Sequence, residues 1–93
     1  MSNPTVVNNS EASRYEISVD GVLAGFADYV DEGEVLAMTH TEVFDDFEGQ
    51  GLAAILVTGV LDDVRANDRV VRPDCAYVAG FLAKHPAYRD LVA

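Results

Sequence analysis

A chain of 93 residues, 49% apolar and 24% charged, holds enough apolar surface for one core and too little length for two. No apolar run approaches the ~20 residues that span a bilayer, and Met1-Ser2-Asn3-Pro4 lacks the basic and apolar regions of an export signal, so a cytoplasmic location is expected. The single Cys75 excludes an internal disulfide and a multi-cysteine metal site, and a formal charge of −10 argues against nucleic acid as a partner, because phosphate neutralisation needs clustered Lys and Arg.

Residues 1–13 are polar around a brief Val6-Val7 pair and are expected as a flexible, mobile lead-in segment or a short edge strand, with one domain over 14–93. Tyr15, Ile17 and Val19 alternate with Glu16 and Ser18, Asp20-Gly21 supplies a tight turn, and Val22 to Val30 form the returning strand. A second turn at Asp31-Glu32-Gly33 leads into a strand over 34–43, which completes an antiparallel meander. Leu52, Ile55, Leu56, Val60 and Val64 then recur at helical spacing, predicting a helix over 53–66 in which Gly59 permits close packing on the sheet. Asn67 and Asp68 stop that helix, and Arg69 to Arg72 read as a short strand. Strand, helix and strand in this order imply a right-handed crossover that sets the new strand parallel to the third. Asp74 is placed to cap a second helix whose packed side is Ala76, Tyr77, Ala79, Gly80, Phe81 and Leu82, with His85-Pro86 ending it and a final turn over 87–92. The fold class is α/β with a mixed sheet: an antiparallel meander, a β-α-β crossover and a C-terminal helix.

The run Glu48-Gly49-Gln50-Gly51-Leu52-Ala53 stands between a strand and a helix start. Glycines there let successive N–H groups converge where the helix dipole also favours an anion, a pattern suited to a diphosphate and shared with plain strand-to-helix turns. The longer phosphate loop ending in Gly-Lys-Ser/Thr is absent, and the third glycine of the dinucleotide fingerprint would fall at Ile55 or Leu56.

His40-Thr41-Glu42-Val43, Gly49-Gln50-Gly51-Leu52-Ala53, Pro73-Asp74-Cys75-Ala76-Tyr77-Val78 and His85-Pro86-Ala87-Tyr88 occur in an order and spacing that resembles the small, single-domain branch of the GNAT N-acetyltransferases, over residues 14–92. The resemblance implies an acetyl-CoA-dependent transfer of an acetyl group to an amine, on a small molecule or a protein. It also implies that the third meander strand splays from its parallel neighbour, so that the main chain of Thr41 to Val43 pairs with pantetheine, and that Gly49, Gln50, Gly51, Leu52 and Ala53 donate N–H groups to the cofactor's diphosphate. The family pattern has Arg or Gln three residues before the second glycine, where this chain has Glu48.

Candidate chemistry gathers on three groups. His40 and Glu42 lie two apart on a strand and share a face, as a proton acceptor with its orienting carboxylate or as a hydrogen-bonded surface pair. Cys75 opens the second helix, where the N-terminus favours a thiolate; it is a proton donor, a transient acetyl carrier, a pocket wall or a buried small residue. Lys84 and His85, with Arg89, are the one cationic cluster and a candidate contact for the cofactor's ribose phosphate, or plain favourable charges at a helix end. The alternatives to an acetyltransferase are a non-catalytic acyl-CoA-binding or regulatory module and an interaction domain using a sheet edge. No metal is expected.

Overall fold

The computed structural model describes residues 3–93. Five strands, β1 (Pro4–Asn9), β2 (Arg14–Val19), β3 (Val22–Asp31), β4 (Val35–Val43) and β5 (Val70–Pro73), lie in that order in one sheet, with helices α1 (Leu52–Ala66) and α2 (Ala76–Lys84) between and after β4 and β5. The first four strands are antiparallel and β5 runs parallel to β4, as the crossover argument requires. The hairpin between β2 and β3 turns on Asp20 and Gly21, both at positive φ.

Tyr15, Ile17 and Val19 of β2, Ala27 and Tyr29 of β3, and Leu36 and Met38 of β4 form one core with Leu52, Leu56, Val57, Val60, Leu61 and Val64 of α1. These α1 residues recur every three or four positions, so one stripe is buried while Asp62 and Arg65 stay exposed.

Pro4–Asn9 is an edge strand paired over its whole length with β2, which takes the second of the two expectations for residues 1–13 and corrects the flexible-segment expectation across this stretch; Met1 and Ser2 lie outside the described residues. Two contacts explain the ordering. Tyr29 Oη donates to Asn8 Oδ1 at 2.7 Å, and α1 approaches Val6 so closely that a Cβ on Gly59 would stand 2.9 Å from its Cγ1. Gly59 therefore does allow the close packing its position suggests.

Two expectations for α2 need correction. Its N-cap is Cys75, because the Asp74 carboxylate is engaged by Arg72 at 3.1 Å. Its buried residues are Val78, Phe81 and Leu82; Ala76, Tyr77, Ala79 and Gly80 are exposed, since only the inner third of this short helix touches α1 and the sheet.

The register between β3 and β4 contains an irregularity that decides the site. Asp28 pairs with His40 but Tyr29 pairs with Met38, leaving Thr39 as an extra residue. Leu36 and Met38 face the core, and past the bulge the alternation is reversed: Thr41 and Val43 face the helices, while His40 and Glu42 face the helix-free side.

Candidate active site

β4 and β5 pair from Val35↔Val70 to Met38↔Pro73 and then part. Pro73 has no N–H to continue the ladder, and the chain turns at Asp74 toward α2. The remaining half of β4 has a neighbour on one side only. Phe44 N–H donates to Ala24 C=O at 2.8 Å, so by alternation Phe44 and Glu42 bond toward β3 and the main-chain groups of Thr41 and Val43 point outward. The splayed edge expected at Thr41–Val43 is present.

A 3₁₀ turn over Asp45–Phe47 carries the chain from this edge to Glu48, Gly49 and Gly51, and both glycines have positive φ, 80° and 71°. Gly51 is the N-cap of α1 and has no side chain to cap it. Among the described residues, the N–H groups of Gly49, Gln50, Gly51, Leu52, Ala53 and Ala54 donate to no protein acceptor. A cavity of about 210 Å³ lies against them, lined by Val43, Phe47, Glu48, Gly49, Gly51, Leu52 and Ala53. Gln50 is exposed in the loop and lines neither this cavity nor the next. A second groove of about 280 Å³ continues from Ala54 to Ala76, Tyr77, Gly80, Phe81, Lys84 and His85. Unpaired amides at a helix start, with a separate groove beginning at the next residue, Ala54, and reaching a lysine, fit a polyanionic ligand with an extended tail.

Cys75 is 9% exposed and sits across the notch, with Sγ 3.4 Å from Thr41 Oγ1. Burial pushes its thiol up, but the Thr41 hydroxyl and the backbone N–H groups of Val78, Tyr77 and Thr41, aimed at the sulfur, together bring it below the ordinary thiol value. None of the α2 amides reaches cap hydrogen-bond geometry, so their influence is electrostatic. The thiol is thus poised at a helix N-terminus, facing the outward edge of β4.

On the opposite side of β4, His40 Nε2 lies 3.2 Å from Glu42 Oε1, both side chains about half exposed. The sequence pairing is present, and so is its separation from Thr41. Phe26, absent from the sequence expectations, pairs with Glu42 in register and places its ring 5.9 Å from that of His40 and 6.0 Å from that of Phe44. A cavity of about 360 Å³ adjoins them, lined by Glu42, Val43, Phe44, Asp45 and Asp46. Cross-strand register is the signal that could have found Phe26, but the bulges at Ile17/Ser18 and at Asp28/Tyr29 hide it.

The C-terminal cations separate. Arg89 donates to the carbonyls of Leu82 and Ala83, and His85 Nδ1 lies 2.8 Å from Phe81 O with its ring stacked on that of Phe81 at 3.9 Å. Arg89 is therefore committed to the end of α2. Lys84, in contrast, has no carboxylate partner among the described residues, whereas Arg14, Arg65 and Arg69 each have one and Arg72 has two. No group of three potential metal ligands occurs among the described residues.

Known proteins share this fold. The solution structure of a GCN5-like protein from Staphylococcus aureus superposes with a TM-score of 0.73 at 22% identity, covering 100% of this chain and 91% of that one. The crystal structure of Ard1 from Thermoplasma volcanium gives 0.59 at 20% identity over 78% of this chain and 53% of its own. At such identities the likeness speaks to the fold. No curated protein matches significantly. The model of the GCN5-related N-acetyl-transferase family matches residues 14–91, nearly the whole described chain, and the protein belongs to that family.

Proposed function

We propose that this protein transfers an acetyl group from acetyl-CoA to an amine, on a small molecule or a protein. The observation that carries this is the convergence at one notch of an unpaired β4 edge, a run of free amides and a buried thiol. Acetyl-CoA supplies an activated acetyl thioester. The amides of Gly49, Gln50, Gly51, Leu52 and Ala53 hold its diphosphate, the outward main chain of Thr41 and Val43 orients its pantetheine arm, and Lys84 with His85 bounds the groove for its nucleotide end. Cys75, held by Thr41, provides a proton at the thioester side. His40, with Glu42 as its partner, takes the proton of the amine from the other face of β4.

A non-catalytic acyl-CoA-binding role is the reading that Glu48 favours, because a carboxylate lining the amide cavity opposes a phosphate. Calorimetry with acetyl-CoA, followed by thiol release with n-butylamine, putrescine and a lysine-containing peptide, tests both. Binding with amine-dependent release supports the transferase. Binding without release from any amine selects the binding module, and no binding sinks both.

A further inference from the structure

We infer that Phe26 is a positioning residue for His40, and that the imidazole is held so that Nδ1 is the atom open to the acceptor amine. This rests on His40 being the proton acceptor. The helix-free face of the sheet carries a connected set of side chains centred on the Phe26 ring. Arg14 leans over that ring from β2, its guanidinium carbon 4.9 Å from the centroid, and is fixed by Glu16 at 2.7 Å. Glu16 is fixed in turn by Asn9 Nδ2 of β1 at 3.2 Å. From β4, His40 leans on the same ring with the planes tilted by 51°. Its other neighbours are Glu42 and, directly across in register, Asp28.

An exposed imidazole on a strand has several rotamers within reach, and ordering it has an entropic cost. Two contacts of different kinds select one. The tilted aromatic pair fixes the ring plane, and Glu42 fixes one nitrogen, since Nε2 is the atom at 3.2 Å. With Nε2–H donating to Glu42, the lone pair is on Nδ1. The proton of R–NH3⁺ then passes to Nδ1, leaving R–NH2 and an imidazolium whose Nε2–H remains on the carboxylate. Phe26 does not touch the reacting atoms; it acts through His40 alone. Arg14 stands on the β2 flank of the same ring, and in the register Asp28 lies between Arg14 and His40.

The test uses Phe26→Leu and Phe26→Tyr in the full chain. Long-range 1H–15N spectra at neutral-imidazole pH read His40 directly, with His85 as internal control. His40 is expected as one Nε2–H tautomer with ring-proton shifts displaced by the Phe26 ring; the displacement is lost in Phe26→Leu, kept in Phe26→Tyr, and His85 is unmoved. In thiol release from acetyl-CoA with n-butylamine, Phe26→Leu lowers kcat about tenfold, a part of the ~10² or more that a positioned base contributes, with the KM for acetyl-CoA unchanged. In the His40→Ala background Phe26→Leu costs nothing further. Unchanged His40 signals in Phe26→Leu, or losses that add in the double variant, overturn the inference. Full activity of His40→Ala removes the base assignment instead, and the spectra then decide the Phe26 contact by themselves.

Discussion

The two halves of β4 do opposite work. From Val35 to Met38 the strand is hydrogen-bonded on both sides, Leu36, Ala37 and Met38 are buried, and the surroundings are tied by Arg69–Asp31 at 2.6 Å and Arg72–Glu32 at 2.7 Å. From Thr39 to Val43 it has a strand partner on one side only, its outward main chain faces the Cys75 thiol and the groove instead of a strand, and the carboxylates nearby, Asp45, Asp46 and Glu48, have no cationic partner among the described residues. A proline ending β5 and one extra residue in β4 separate the halves. The proline frees an edge, and the bulge delivers Thr41 to the helix side and His40 to the open side of that edge. A strand can thus be scaffold over one stretch and open edge over the next, provided the break between the two is local.

The sharpest way to break this contrast is at Gly51. Its φ of 71° is a conformation that a β-branched residue resists, although open space surrounds the position. Gly51→Val is expected to misdirect the amides of the α1 start rather than to clash with the core. Two lost bonds to a charged phosphate, at ~1.5–3 kcal/mol each, weaken acetyl-CoA binding about 100-fold or more. Arg72→Gln at the closed half is the matched control: it lowers the melting temperature and leaves the affinity unchanged. Titration calorimetry and thermal melts on both variants check the pair, and equal affinity losses would erase the distinction between the halves.

A smaller effect is expected across the notch. Burial alone would raise the Cys75 thiol, and the Thr41 hydroxyl is the first of the donors that reverse this. Thr41→Val removes the hydroxyl but keeps the three backbone amides, so the pH profile of iodoacetamide alkylation should move upward and the rate at pH 7 should fall several-fold with the thiolate fraction. Wild-type Cys75 should react with an apparent pKa below the ordinary ~8.5. A profile that does not move in Thr41→Val would leave the amides as the sole source of the lowering.

The sequence made the elements legible where pattern and chemistry agreed. Asp20-Gly21 marks the hairpin, the Leu52–Val64 spacing marks α1, and the order strand-helix-strand makes β5 parallel. His40 and Glu42 were paired by simple alternation because the bulge lies just before them, at Thr39. What was not legible depended on tertiary partners. β1 owes its order to Gly59 and Tyr29, distant in sequence. Asp74 looks like a cap until Arg72 engages it. Phe26 enters the site only through a register altered by two bulges, and no local signal marks either of them. The resemblance to the acetyltransferase family supplied the splayed edge, and its physical cause, Pro73, was present in the sequence without announcing itself.

Glu48 offers the finest test of the open half. It lines the amide cavity, is exposed, and stands where the family pattern has Arg or Gln. If the carboxylate senses the phosphates, Glu48→Arg replaces a repulsion by an attraction. An exposed pair of this kind contributes well under a few kcal/mol, so acetyl-CoA binding should tighten about fivefold at low salt. At 1 M salt the Debye length shrinks to ~3 Å and the gain should vanish. That salt dependence separates a charge effect from a change in the loop itself, which would persist in both conditions. Equal affinity of the two proteins at both ionic strengths would show that the side chain points away from the phosphates and that the amides of Gly49–Ala53 work independently of the acidic residue preceding them.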